Sequence, residues 1–327
     1  MTSPDELSPA PVLSPRPAPL PFDLTWTDLE DALLEGAIGD SAVVSHVRRG
    51  QHQGGHPCVT MTLSYNTPSG HRGQTTLFFK LNPDDSREAE RYRFLTDHGI
   101  PVPHLAACVE RDSEEVLGIQ FLPSIGIGPT DVDEILRSIA ALNSLTDVPD
   151  VIGNTPPGLP QAQFEQLLRQ ALDEVGSTHP RHAMATWLAT YRRAVVLYQD
   201  LPTALTHGEL APQHFGRTED GSLVMFDLAT VGLRPRFADI ANLFATLAHL
   251  ADRDERSILG DYLTYLARGS SAAILDEQTW AELELTRFVQ AVEALPWHLS
   301  QQQPAALHQH LKTIASAHLA TLAQLHP

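Results

Sequence analysis

Residues 205–233 read LTHGELAPQHFGRTEDGSLVMFDLATVGL, and their residue types and spacing carry most of what the chain says about chemistry. His207-Gly208-Glu209-Leu210 opens the stretch, and His214 follows five residues after the carboxylate. Asp220-Gly221 marks a turn before the apolar run Leu223 to Phe226, which ends on Asp227. Carboxylate oxygens accept protons and are hard ligands suited to Mg²⁺. Imidazole suits Mn²⁺ or Zn²⁺ better. A further candidate is Lys80, which leaves the run Thr76-Leu77-Phe78-Phe79. A lysine there is either an edge residue with its stem along apolar surface or a cation for an anionic ligand.

The elements that would position these groups can be read around them. Ala42 to Val47 is β-branched and apolar, Val59 to Tyr65 alternates as a half-buried strand does, and Thr75 to Leu81 is a third strand after the turn formers of Asn66 to Gly73. Between the first two strands lies Arg49-Gly50-Gln51-His52-Gln53-Gly54-Gly55-His56-Pro57. This is either an ordinary polar hairpin or one whose glycines, Gly50, Gly54 and Gly55, let backbone amides approach an anion. The helix after Lys80 opens at Asp84-Asp85-Ser86, good N-cap types, and carries Glu88 and Glu90 ahead of Phe94 and Leu95. Val116 to Phe121 is the next strand and runs into Leu122-Pro123. Beyond it, apolar residues at helical spacing predict helices over 131–145, 161–174, 183–198, 240–250, 257–267, 277–295 and 305–325. Seven prolines in the first 21 residues exclude helix and ladder, so residues 1–22 read as a disordered or polyproline-like tail. Order is expected from Phe22 or Trp26, with an amphipathic helix over 27–36. No internal repeat is evident.

At 327 residues the chain exceeds one ordinary core and suggests two lobes. No apolar run approaches the ~18 residues that span a bilayer, and the N-terminus lacks a basic region followed by an apolar one, so neither a membrane span nor a secretory signal is expected. Cys58 and Cys108 form no framework and no C-x-x-C, which makes a reducing cytoplasm the default location. A net charge of −18 argues against nucleic-acid binding. It permits a cationic small-molecule substrate such as an amino sugar or choline, although acidic residues also serve simply to keep a surface soluble.

HGELAPQHF…VMFDLATVGL resembles the HGDLHPGN…IDW segment of the aminoglycoside phosphotransferase and choline kinase superfamily, small-molecule kinases built on the protein-kinase plan. Arg236 to Ala241 is similar to the family's P-x-x-D-L-A, whose Asp, here Asp239, braces the catalytic loop. Upstream, Thr75 to Lys80, then Arg87-Glu88-Ala89-Glu90, then Gly99-Ile100-Pro101-Val102-Pro103 resemble the lysine strand, the glutamate helix and the G-V-P-V-P that follows. The likeness covers roughly residues 40–245. It implies an α+β, bilobal protein-kinase-like fold: a small antiparallel β-sheet N-lobe over 23–122 and a mainly helical C-lobe over 123–327.

The resemblance also implies roles. Lys80 would hold the α- and β-phosphates of ATP and pair with Glu88, with Glu90 the fallback. Gly50, Gly54 and Gly55 would lie over the phosphates, and backbone groups from Gln120 to Leu122 would bond the adenine edge. Glu209 would be the catalytic base, Asp227 a Mg²⁺ ligand with His214 beside it, and His207 a residue that orients the loop. Two of these positions depart from the family pattern. Glu209 replaces Asp and so moves the carboxylate by roughly one C–C bond, which can cost about 100-fold in rate. His214 replaces Asn, making Mn²⁺ the alternative ion; it could also hydrogen-bond a phosphate or brace Glu209. Asn143 replaces the family's His near the end of an A-x-L-H helix. The remaining histidines, among them His308, His310 and His318, read as surface or helix-face residues. Two function classes stay open: an ATP-dependent kinase of a small hydroxyl compound, and a catalytically weak or inactive kinase-fold protein that binds nucleotide or ligand for regulation. Retention of Lys80, Glu88, Asp227 and a carboxylate at 209 favours the first.

Overall fold

The computed structural model of the chain describes residues 20–25, 27–28, 43–51, 57–66, 72–83, 86–111, 114–152, 159–174, 181–267 and 275–325. Most of the proline-rich tail, most of the 27–36 helix, Gly54, Gly55 and the Asp84-Asp85 pair lie outside them. The chain divides into two compact units: Met1–His98, Val102–Pro123 and Thr218–Asp220 in one, Gly99–Pro101, Ser124–Arg217 and Gly221–Pro327 in the other.

The first unit is built on a five-stranded antiparallel sheet. Its strands are β1 (Val43–Gln51), β2 (Cys58–Asn66), β3 (Arg72–Pro83), β4 (Leu105–Arg111) and β5 (Glu114–Gln120), in the order β1-β2-β3-β5-β4. Alternation decides which residues it buries. Val59, Met61 and Leu63 of β2 stand opposite Phe79, Leu77 and Thr75 of β3, and all but the threonine lie in the core with Leu20 and Leu24. Gly118 belongs in this core for want of room: a Cβ there would sit 2.8 Å from the Phe79 ring. The odd-numbered Leu77 and Phe79 face one way, so Lys80 leaves from the opposite face. Strand β3 runs two residues past the expected Leu81, to Pro83, in register with β5.

Helix α1 (Glu88–Asp97) follows. It starts later than the Asp84-Asp85-Ser86 cap types suggest, behind Arg87 in a left-handed conformation with no side-chain cap. Strand β4 has no counterpart among the expected elements.

The second unit is mainly helical. It contains α2 (Val132–Asn143), α3 (Gln161–Glu174), α4 (Arg181–Gln199), α5 (Ala238–Ala251), α6 (Glu255–Ala267), α7 (Glu277–Glu293), α8 (Leu295–Ser300) and α9 (Pro304–Leu325). Each helical segment expected past residue 131 is present, but the one expected over 277–295 ends at Glu293, with Ala294 as its cap. Pro296, in the first turn of α8, has no N–H to continue it. Phe164 and Leu168 of α3, Tyr191 of α4, Phe288 and Val292 of α7, and Leu307 and Ile314 of α9 share one core. Two small ladders carry the loops between helices. β6 (Ser124–Ile125), β8 (Phe215–Arg217) and β9 (Leu223–Met225) form one, and β7 (Thr203–Thr206) pairs with β10 (Gly232–Pro235) in the other. Among the described residues no helix is long and apolar enough to cross a membrane, and neither cysteine is in a disulfide.

Candidate active site

In the second unit, the segment from β7 to β10 folds around one buried carboxylate. Asp239, in the first turn of α5 and fully buried, accepts the backbone N–H of His207 at 2.8 Å and that of Gly208 at 3.0 Å. Burial pushes its carboxyl up to about 6, against the pull of those two amides and of the Arg234 charge. Thr230 Oγ1 donates to the His207 carbonyl at 2.9 Å, tying the loop to the turn after Asp227. Asn143 Nδ2 donates to the Leu205 carbonyl at 2.7 Å, and the Tyr262 hydroxyl donates to Asn143 Oδ1 at 2.6 Å. An amide at the position where the family carries His thus anchors the strand that enters the loop.

His207 is completely buried, and its Nε2 lies 2.9 Å from the Phe226 carbonyl. A carbonyl only accepts, so the proton sits on Nε2. Burial pushes this imidazole down to about 4, while the Phe226 bond and the charges of Asp227 and Glu209 act the other way. At neutral pH it is an uncharged brace. His214 stacks on it, with ring centroids 5.6 Å apart and planes 12° from parallel.

His214 Nδ1 donates to the backbone carbonyl of Glu209 at 2.7 Å, which leaves Nε2 on the side of Asp227, 3.8 Å from its Oδ2. The imidazole therefore fixes the Glu209 backbone with one nitrogen and approaches the second carboxylate with the other. Glu209 is exposed. Asp227 sits at the end of the β9 run in the left-handed region, with φ 66° and ψ 62°. Asp tolerates that conformation better than most residues, and such strain gathers at functional sites. Its side chain is 41% exposed. Gly208, with φ +93°, is where only glycine fits, since a Cβ would stand 2.5 Å from the Thr230 carbonyl oxygen.

In the first unit, Lys80 Nζ and Glu88 Oε2 form an ion pair at 3.0 Å, with side chains 12% and 1% exposed. Glu90, the fallback, is half-buried. Gly50 is in β1 opposite Thr60. Gln120 closes β5 and Leu122 is buried. The Gln120 amide donates to the His104 carbonyl and that of Phe121 to the Thr76 carbonyl. Sequence reasoning passed over Asn82 and Glu115, which contact Glu88 and the start of α1. A polar Asn82 two places after Lys80, on the same face and following the apolar run Leu77-Phe78-Phe79, was the available signal.

The profile of a phosphotransferase enzyme family matches residues 69–285. Among solved structures, an AMP-bound spectinomycin phosphotransferase is 11% identical over 91% of this chain and 98% of its own, with a TM-score of 0.51. A choline/ethanolamine kinase family protein from Mesorhizobium loti is 12% identical over 84% and 92%, also at 0.51. At such identities the likeness shows the fold, which is protein-kinase-like. A search of the curated proteins finds no match.

Proposed function

The chain belongs to the phosphotransferase enzyme family, and from that premise we propose that it is an ATP-dependent kinase of a hydroxyl group on a small molecule. The observation that carries the reading is the part-buried Lys80–Glu88 pair, 3.0 Å apart. A surface lysine would spend its charge on water; this one is held by a carboxylate from a different element, as an oriented phosphate-binding lysine needs to be. Backbone groups between Gln120 and Leu122, other than the two amides already engaged, and Gly50 in β1 complete the proposed nucleotide site among the described residues. The AMP in the spectinomycin phosphotransferase supports a nucleotide for this chain as well.

For the metal, Asp227 offers an exposed carboxylate and His214 an Nε2 beside it. Among the described residues no group of three or more His, Cys, Asp or Glu could hold an ion unaided. A carboxylate such as Asp227 is a hard ligand of the kind that holds Mg²⁺ together with substrate phosphates; Mn²⁺ is the alternative the imidazole favours. Bound there, the ion would neutralise charge on the phosphates. The chain's own residues do the rest. Lys80 holds the phosphates, Glu209 takes the proton from the acceptor hydroxyl, and Asp239 with His207 keeps the loop in place while Glu209 does so. The acceptor is a small hydroxyl compound, and the acidic chain makes amino sugars and choline the first to try. A reducing compartment such as the cytoplasm is the default proposed for a chain with two cysteines and no C-x-x-C.

The test is incubation with ATP, Mg²⁺ or Mn²⁺, and a panel of amino sugars, choline and neutral sugars, with ADP as the readout. Turnover should fall by about 10²–10⁴-fold in Glu209→Gln, the usual worth of a general base, with ATP affinity nearly unchanged. An undiminished rate in Glu209→Gln would remove the residue from its role. ATP binding without ADP formation on any acceptor would select the non-catalytic reading that the Glu209 and His214 replacements keep open.

A further inference from the structure

Two buried polar residues beside the lysine pair have no part in the chemistry proposed above. Asn82 lies two residues after Lys80 on β3, and Glu115 stands directly across from it on β5. They are 1% and 4% exposed. Asn82 Nδ2 donates to Glu88 Oε2 at 2.8 Å and to Glu115 Oε1 at 3.3 Å, placing one amide group between two carboxylates. Glu115 Oε2 accepts the backbone N–H of Ala89 at 3.2 Å, and Ser86 Oγ donates to Oε1 at 3.4 Å. The second carboxylate thus occupies the N-terminus of α1, where Arg87 supplies no side-chain cap. A carboxylate is favoured there by the orphan N–H groups and the helix dipole. Arg91, held by the Ser86 carbonyl, brings a compensating charge that acts on both Glu88 and Glu115.

Burying a second carboxylate next to Glu88 is costly, and the hydrogen bonds from Asn82 and Ala89 oppose that cost. What these bonds fix is the height and rotation of α1 against the sheet. Glu88 is the first residue of that helix, so any slide or turn of α1 moves its carboxylate away from Lys80.

We propose that Glu115 and Asn82 are positioning residues for Lys80. Glu115 caps α1 from the neighbouring strand, and Asn82 links that cap to the Glu88 carboxylate that holds the lysine. The proposal rests on the reading of Lys80 as the phosphate-binding residue. A glutamine at 115 keeps an acceptor oxygen but turns an N–H₂ toward a site already crowded with donors, so the cap loosens while the side-chain volume is unchanged.

ATP dissociation constants measured by calorimetry for the wild type, Lys80→Ala, Glu115→Gln and the double variant decide the matter, with melting temperatures recorded alongside. Glu115→Gln should weaken ATP about tenfold, as expected for losing one charge-assisted hydrogen bond. With a turnover assay in hand, KM for ATP should rise while kcat at saturating ATP stays within about twofold. In the Lys80→Ala background the same change should weaken ATP no further, a non-additivity that a merely structural role would not produce. Should Glu115→Gln fail to fold, Asn82→Ser cuts the same link and should show the same dependence on Lys80. Loss of affinity in Lys80→Ala with none in Glu115→Gln or Asn82→Ser, or losses that simply add, would overturn the brace alone. Equal ATP affinity in wild type and Lys80→Ala would overturn the lysine assignment and the proposal with it.

Discussion

Gly208→Ala separates two costs at the catalytic loop that usually come mixed. Gly208 has φ +93°, and an added Cβ would stand 2.5 Å from the Thr230 carbonyl oxygen and 3.0 Å from Arg234 Nη2. The backbone conformation alone costs an alanine about 1–3 kcal/mol. The contact is with backbone, so relief requires the loop or the 228–230 turn to shift by roughly 1 Å, and overpacking of this kind costs about 1–3 kcal/mol more. The expected destabilisation is therefore about 2–6 kcal/mol. Gly221 provides the control: its φ is +86°, yet nothing lies within 4 Å of a Cβ there. Gly221→Ala should lose about 1–3 kcal/mol and keep full turnover. Gly208→Ala should lose more, and because Glu209 is the next residue, turnover should also drop about 100-fold, as a misplacement near 1 Å does. Denaturant unfolding and the ADP assay measure both. If Gly208→Ala matches Gly221→Ala in stability and turnover, the argument from the Thr230 contact is wrong.

Glu209→Asp should lose about 100-fold in turnover, because His214 pins the Glu209 carbonyl and the backbone cannot follow the shorter side chain; a gain would show a loop built for aspartate. Asp227→Asn should abolish metal-dependent ATP binding, and calorimetry showing wild-type affinity would displace the residue from the metal site. His214→Asn should lower the ratio of Mn²⁺- to Mg²⁺-supported turnover, and Mn²⁺ binding followed by electron paramagnetic resonance should weaken in parallel. An unchanged ratio would mean that Nε2 does not meet the ion. His310→Gln tests acid sensitivity away from the loop. Burial holds the folded imidazole down at about 4, with His298 adding to the shift, while the unfolded residue titrates near 6.5. The unfolded state therefore carries more protons between those values, and stability falls as pH drops through that window. With glutamine, which can still donate to the Ala291 carbonyl that His310 Nε2 meets at 2.8 Å, stability measured from pH 7 to pH 4 should decline less steeply; identical slopes would refute it.

What the sequence could reveal follows the range of each interaction. The helices of the second unit announce themselves because each buries a stripe that repeats within its own residues. The loop from His207 to Asp227 is legible for a related reason: its chemistry needs fixed residue types at fixed local spacing. Lys80 and Glu88 are eight residues apart across one strand–helix junction, near enough to be paired by eye. Strand β4 escaped notice because its register shifts between Leu105 and Ala107, so Ala106 and Ala107 are both buried and the two-residue alternation fails. Pro296 breaks the helix while the apolar periodicity runs on through it, so the periodicity alone predicts one continuous segment. Asn82 and Glu115 lie 33 residues apart, and their meaning exists only once β3 and β5 are in register.

The start of α1 bears on the order in which the chain assembles. At ten residues the helix is shorter than the ~12–15 that hold together alone in water, and its cap arrives from a residue 26 positions further along. Closing that distance costs entropy before the cap can form. Packing of Ala89, Tyr92 and Leu95 holds the body of α1, but its first turn is capped only once β5 has docked on β3, so that turn is expected to form late and to open early. Gentle warming should release Glu88 from Lys80, and with it the capacity to order a phosphate, while the five strands are still paired.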